Sequence, residues 1–351
     1  MNTLGATTKR PKPLAVSCGY TVSLEPRPER VKLTCNCCQG ETKRFGRFRN
    51  KNRLVQRYRC LQCGKTFSES QPLEGVRVDF DKAAQVVHLL CEGVGIRAAG
   101  RLSGLDQHTV LNIVESAGQH CADLLDRKVR GIQAEYVEVD EMWSFIRCKN
   151  ANAQEFTDDG DQYTFLATDS ITKLIISHVV GKRTHENTYW FMRDLEGRIA
   201  NRFQLTSDGF DGYTGKGGKA GAVTKVFGDK IDYATEIKEF GHNAEGQRRY
   251  SAPPLTGIRR RRRIGKPESR MVTTTHAERC NLSVRLFNRR FTRLTLGYSK
   301  KLDNHRHAVA LFIAHFNFCR EHSAHKLEKL TPAVAAGLTD HTWTVKELLT
   351  K

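Results

Sequence analysis

Polar and apolar positions alternate most clearly between residues 134 and 210. YVEVD at 136–140 sets Tyr136, Glu138 and Asp140 on one face and Val137 and Val139 on the other. YTFLATD at 163–169 and KLIISHVV at 173–180 read as further strands. A helical pattern over about 185–200 and a strand FQLTSD at 203–208 follow. Two more strands are predicted near Lys219–Phe227 and Ile231–Ile237. Residues 275–293 and 303–320 read as helices, and HRHAVALFIAHFNF is apolar nearly all round, which predicts burial. Strands interleaved with helices in this order predict a mixed α/β sheet over 134–325. Residues 326–351 read as a C-terminal tail.

The first third of the chain has a different texture. Residues 1–30 carry several prolines and little periodicity, and read as a basic leader. Residues 76–130 fit three short helices. The first spans about Asp81–Cys91, Gly93 and Gly95 break the pattern, and Ile96–Leu102 forms the second. Ser103-Gly104-Leu105 makes a turn, and Asp106 can cap the third helix. Two helices joined by such a turn form a helix-turn-helix. Its third helix would bring Gln107, His108, Thr109 and Asn112 to base edges in a major groove.

Composition narrows the partners. A chain that is 39% hydrophobic and 27% charged is globular. No stretch of about 18 apolar residues predicts a membrane span. The start, MNTLGATTKRPKPL, lacks the apolar core of a secretory signal, so the expectation is an intracellular, cytoplasmic chain. The net charge is +19, and its distribution says more than its sum. Residues 1–67 hold 15 Lys/Arg against 3 Asp/Glu, and residues 251–300 hold 13 against 2, so the remainder is slightly acidic. Basic charge concentrated this way is the footprint of a nucleic-acid-binding protein. Neither segment has the wide apolar helical face that a membrane surface would need. Within 250–270, read as a basic loop, Arg259, Arg260, Arg261, Arg262 and Arg263 run consecutively. They would bind phosphate without reading sequence, and in a eukaryotic host the same run would suit a nuclear-localisation signal.

In an intracellular chain, 11 cysteines read as metal ligands and buried thiols. Cys35-x-x-Cys38 and Cys60-x-x-Cys63 are two knuckles that can face one structural zinc ion, which predicts a zinc ribbon over 31–70. The segment between them is basic and aromatic. Cys37 and Cys18 receive no role.

Three acids interrupt apolar or strand-like segments. Asp140 ends the first predicted strand, Asp208 ends another and is followed by Gly209, and Glu278 opens a helix in THAERCNLSVRLF. Carboxylates from distant segments can hold two Mg²⁺ or Mn²⁺ ions, which prefer oxygen, and two such ions suit chemistry at a phosphodiester. Metal also reconciles an acidic pocket with a basic, DNA-seeking protein. Asp169, Asp211 and Glu141 are acids of the same kind read as structural, with Asp169 opening the turn DSITK and Asp211 on the loop after Asp208. Arg285 lies two helical turns after Glu278, where it could hold a DNA phosphate; Asn281, between them, could orient Glu278 or contact DNA. Trp143 reads as packing beside the site.

DEMWSF, TFLATDSITKLIISHVVGKRT, LTSDGFDGY and HAERCNLSVRLFNRRFTRLTLGYSKKLDNHRHAVALFIAHFNF together resemble the DDE transposases of the insertion-sequence-one family. The resemblance covers about Tyr136–His322, and the zinc ribbon and helix-turn-helix resemble that family's N-terminal half. It implies an RNase H-like catalytic domain, with Asp140, Asp208 and Glu278 as the triad of a two-metal DNA-joining reaction. It further implies binding to terminal inverted repeats and target DNA by at least a dimer. The arginine-rich segment separates the second and third acids more than that family's pattern. The rival expectation is a DNA-binding regulator descended from a transposase, without catalysis.

Overall fold

The computed structural model describes residues 35, 38, 40–50, 53–68, 73, 75–154, 157–242, 253–323 and 329–351. The expected leader, Cys18 and Cys37 lie outside these residues. The chain divides into two compact units, Met1–Glu69 and Ser70–Lys351.

In the first unit, β1 (Thr42–Asn50), β2 (Arg53–Cys60) and β3 (Thr66–Ser68) form an antiparallel sheet in that order. The β1–β2 register shifts between Arg44 and Arg47, where Gly46 adopts φ +81°, a conformation that favours glycine. Knuckle backbone bonds hold the sheet's end together: Cys35 N–H donates to Gly40 and Cys60 N–H to Lys65.

The second unit opens with α1 (Phe80–Cys91), α2 (Ile96–Ser103) and α3 (Gln107–Lys128). Gly104 ends α2 at φ 66°, and the Asp106 carboxylate caps α3 by accepting the His108 N–H at 2.8 Å. Three antiparallel strands follow: β4 (Tyr136–Ile146), β5 (Gly160–Asp169) and β6 (Ile175–Gly181). Then come α4 (His185–Glu196), β7 (Gln204–Ser207), α5 (Asp211–Thr214), a short hairpin of β8 (Gly215–Lys216) and β9 (Lys219–Ala220), and α6 (Ala222–Phe227). β10 (Asp232–Phe240) and β11 (Leu255–Ile264) complete a six-stranded sheet, followed by α7 (Thr275–Phe287), α8 (Leu302–Phe318), α9 (Pro332–Ala335) and α10 (Val345–Leu348).

The sheet order is β11-β10-β7-β4-β5-β6, with β7 and β10 parallel to β4, so the sheet is mixed. α4 covers one face, where Phe165 of β5 meets Phe191 at 5.6 Å. α7 and α8 cover the other: Ser144 of β4 contacts His305 of α8, which Ser299 holds from its second nitrogen. The helical segment does not stand apart from the sheet. α3 packs along α8, and one apolar core runs from Val86 through Ile113 to Phe312.

Four expectations are corrected. β4 does not end at Asp140 but continues to Ile146, because β5 pairs with it from Val137 to Ile146 and those ladder bonds outweigh the poor strand propensity of Asp and Glu. The strand expected over Lys219–Phe227 is mostly α6, since Ala222, Val223, Val226 and Phe227 bury one helical face. The arginine run is not a loop but lies in edge strand β11, paired antiparallel with β10. Edge strands tolerate charge, which also discourages pairing with other chains. Finally, the end of the expected tail joins the core: Trp343 stacks on Phe318 at 4.4 Å, and Leu348 and Leu349 are buried.

Candidate active site and metal centres

Asp140 lies within β4, and Asp208 follows the last residue of β7. β7 pairs with β4 only through Glu138. Beyond that point no described residue pairs with β4 on that side until Ile146 bridges Ser299, which leaves the edge beside Asp140 and Asp208 unpaired. Successive strand side chains leave opposite faces, yet carboxylate oxygens of Asp140, Glu141 and Asp208 all lie within 4.8 Å of one another. Both faces of β4 can serve this stretch because among the described residues no strand pairs with its edge from Val139 to Phe145. Glu141, read from sequence as structural, therefore belongs to the acid cluster.

The cluster is tightly built. Asp140 accepts the Glu141 N–H at 2.9 Å and the Asn281 amide at 2.7 Å. Asp208 accepts the Phe210 N–H at 2.9 Å. Arg183 lies on the Phe210 ring at 3.9 Å, with its guanidinium 3.5 Å from Glu141 and 3.8 Å from Asp208. Burial, then the Asp208 charge, pushes Asp140 up to about 6. The same two causes push Glu141 up to about 8 against the pull of Arg183. A span of 4.8 Å and acid-only donors fit a hard divalent ion that keeps some of its waters.

Glu278 sits in the first turn of α7, but its carboxylate is taken by Lys238 of β10 and by the Thr274 hydroxyl, and its side chain is 48% exposed. It lies in the field of Asp140 without joining the converging oxygens. Asn281 is buried and orients Asp140 rather than Glu278. Arg285, half-buried on the same helix, also lies within the field of Asp140. Trp143 packs on Phe145 at 5.6 Å. Asp169 accepts backbone N–H groups of Ile171 and Thr172 within its turn, and Asp211 pairs with Lys216.

No local cap in the sequence announces what positions α7. Its N-cap residue, Thr274, makes no side-chain cap. Two buried carboxylates from the sheet serve instead. Glu138 accepts the N–H groups of His276 at 2.7 Å and Ala277 at 2.9 Å, and Glu236 accepts the Thr274 N–H at 3.2 Å. Anions at a helix N-terminus satisfy free donors and meet the positive end of the dipole. They fix the rotation of α7, and with it where Asn281 and Glu278 fall. An acid within a strand interior was the only available signal. Arg260 answers Glu236 at 2.9 Å, Arg259 answers Glu239 and Arg263 donates to the Thr235 hydroxyl at 3.4 Å, so part of the arginine run is structural although all five side chains are exposed.

Burial raises Glu138 to about 7, alongside Asp140 and Glu141. A raised folded-state value means that the folded protein holds protons the unfolded chain has already released. Without magnesium, the stability these three acids contribute is therefore full below about pH 4 and is lost as pH rises through about 8, whereas His178, His305 and His315, held below the usual imidazole range by burial, favour the fold increasingly up to about pH 6.5. Between pH 6.5 and 8, where the histidines are neutral in both states, melting temperatures should decline in magnesium-free buffer and decline less with 10 mM Mg²⁺, about that concentration sufficing to occupy a weak site. A rise from pH 6.5 to 8 in magnesium-free buffer would contradict this electrostatic picture.

In the first unit, Cys35, Cys38, Cys60 and Cys63 form a second centre. The Cys35–Cys63 sulfurs lie 3.6 Å apart and the Cys38–Cys60 sulfurs 3.5 Å apart. A tetrahedron with zinc–sulfur bonds of 2.3 Å has edges of about 3.8 Å, so the four thiols fit zinc. Backbone N–H groups of Gln62 and Cys63 point at the Cys60 sulfur, and the latter, above all, lowers its thiol to about 6. The surrounding strands are basic, with Arg57 and Arg59 over the Phe45 ring.

Gln107, His108 and Asn112 are exposed at the start of α3, and Thr109 is half-buried. Gln107 and His108 line a groove of about 1160 Å³ with Arg97, Arg101, Arg289, Lys300 and Lys301, and no acid lines it.

No helix among the described residues is long and apolar enough to cross a membrane. No family model matches the sequence, and no curated protein matches it. Among the solved structures that align with the chain are three transposase complexes. A piggyBac transposase synaptic complex with hairpin DNA aligns at 7% identity and TM-score 0.36, over 77% of this chain and 68% of that one. The Mos1 strand transfer complex and a Mos1 paired-end complex with the left transposon end align at 15% identity and TM-score 0.19, over 45% of this chain and 58% and 59% of theirs. These overlaps are distant, and the functional reading rests on the carboxylate cluster and the basic surfaces.

Proposed function

We propose that this chain is a DNA transposase of the DDE type, of the insertion-sequence-one kind, that cuts and joins DNA ends with divalent metal. The observation that carries this reading is the convergence of Asp140 and Asp208, with Glu278 nearby, at an open strand edge of a strongly basic protein. The strand order supports an RNase H-like catalytic domain: three antiparallel strands, extended on the β4 side by parallel β7 and β10.

Bound divalent ions would polarise the attacking oxygen and neutralise the phosphodiester charge. Asp140, fixed by Asn281, and Asp208, fixed by its Phe210 N–H bond, would hold them; Glu278 would complete the set once freed from Lys238. Arg285 and Arg183 would position phosphate beside them. Water would attack first, freeing a 3′-hydroxyl. That hydroxyl would then attack target DNA and displace one of its own 3′-oxygens, so no covalent protein–DNA bond is required. The four-cysteine unit would hold zinc and, with α3, recognise the terminal inverted repeats. Joining two ends calls for at least two copies of the chain.

The test incubates purified protein with DNA carrying the flanking ends, with and without Mg²⁺. Joined products that require metal are expected. End binding without cleavage would instead favour the regulator. The groove adds a quantitative expectation. Arg101→Ala and Lys300→Ala should each weaken binding across all sequences and lower the salt slope by about one. Gln107→Ala should relax sequence preference instead, losing about 1–3 kcal/mol of discrimination. Fluorescence anisotropy at several salt concentrations separates these effects.

A further inference from the structure

We propose that Glu141 is a ligand of the first divalent ion, with Asp140 and Asp208, and that Glu278 enters only after Lys238 releases it. This rests on the metal-dependent reading above and changes which carboxylates hold metal before DNA arrives.

Three independent observations carry it. First, the oxygens that converge within 4.8 Å come from Asp140, Glu141 and Asp208; Glu278 is not among them. Second, the Glu141 side chain is only 2% exposed, and its Oε1 has no hydrogen-bond partner among the described residues. A buried carboxylate oxygen without a donor is costly unless a cation answers it. Third, the cation present, Arg183, only half answers the cluster. One of its nitrogens stands 3.5 Å from the other Glu141 oxygen and 3.8 Å from Asp208, both longer than a strong charge-assisted hydrogen bond, and the guanidinium stacks on Phe210. Its contact is with Oε2, so Oε1 is left for a smaller, harder ion.

Glu278 has the opposite character. It is half-exposed and already satisfied by Lys238 and Thr274. Lys238 also lies 3.9 Å from buried Glu236, which gives its ammonium an alternative carboxylate when Glu278 leaves. The two ion positions therefore fill in order. The first needs no rearrangement of α7 or β10, and the second needs one ion pair to break.

The test measures Mn²⁺ binding to the full-length, zinc-loaded protein without DNA, by electron paramagnetic resonance. Wild type, Glu141→Gln, Glu141→Asp, Glu278→Gln and Arg183→Met are compared, with thermal melts as the folding control. Glu141→Gln should weaken the first Mn²⁺ at least tenfold, and the shorter Glu141→Asp should fall between it and wild type. Glu278→Gln should leave the first ion within twofold while removing the second. Arg183→Met should tighten the first. The proposal is overturned if folded Glu141→Gln and Glu141→Asp bind Mn²⁺ within twofold of wild type, or if Glu278→Gln loses the first ion. Because binding is read without DNA, Glu141-dependent binding in a protein that never joins DNA would uphold this site while sinking the transposase reading.

Discussion

Asp208→Asn is expected to reduce joined DNA products by on the order of 10³-fold, equivalent to about 4 kcal/mol of transition-state stabilisation, with end binding unchanged. Asp208 stands at the C-terminal end of β7 and is one of three acids whose oxygens converge. The amide keeps the shape and can still accept the Phe210 N–H, so the loop geometry survives. What disappears is the charge that would balance a divalent ion. The same substitution removes a repulsion, because Asp208 is the largest charge raising both Asp140 and Glu141. The metal-free variant should therefore melt at or above the wild-type temperature. Loss of joining together with an undiminished melt separates a chemical role from a structural one. Retention of joining within tenfold of wild type would put the reacting centre elsewhere.

Replacing Cys60 with Ser should have the largest effect on the first unit and little on the second. Few described residues of that unit are buried: Cys35, Gly40, Val55 and Cys60. So small an apolar core cannot hold three strands, two of which carry a row of arginines, without a crosslink. Structural zinc in small domains supplies about 10–16 kcal/mol, so losing one thiolate should unfold the ribbon. Zinc content, measured by atomic absorption, should fall from one ion per chain to none, and limited proteolysis should then cleave within 35–68. The thermal transition of Ser70–Lys351 should stay in place, since the two units are separately compact. DNA affinity should drop about tenfold or more, given the positive charge of that unit. A variant that kept zinc and resisted protease would show that three thiolates suffice.

Much was legible in the sequence because it depends on local spacing. Two CxxC pairs imply a tetrahedral sulfur centre wherever their knuckles can meet, and the sulfurs lie at 3.5–3.6 Å. Apolar periodicity located α1, α2 and α8 to within two residues, because a helix must bury one stripe, and gave the start of α7, which ends at Phe287 rather than 293. The positive segments, too, are a property of composition. Tertiary structure decided which acids meet. Alternation along β4 sends Asp140 and Glu141 to opposite faces, and only the early end of β7 opens the edge where both converge. The rotation of α7 came from Glu138 and Glu236, carboxylates on strands far away in sequence, so no local cap could announce it. Lys238 reached Glu278 across 40 residues for the same reason. Local pattern follows from backbone geometry that every stretch carries within itself, whereas the pairing of buried charges is settled by which strands stop where, and that is a property of the whole sheet.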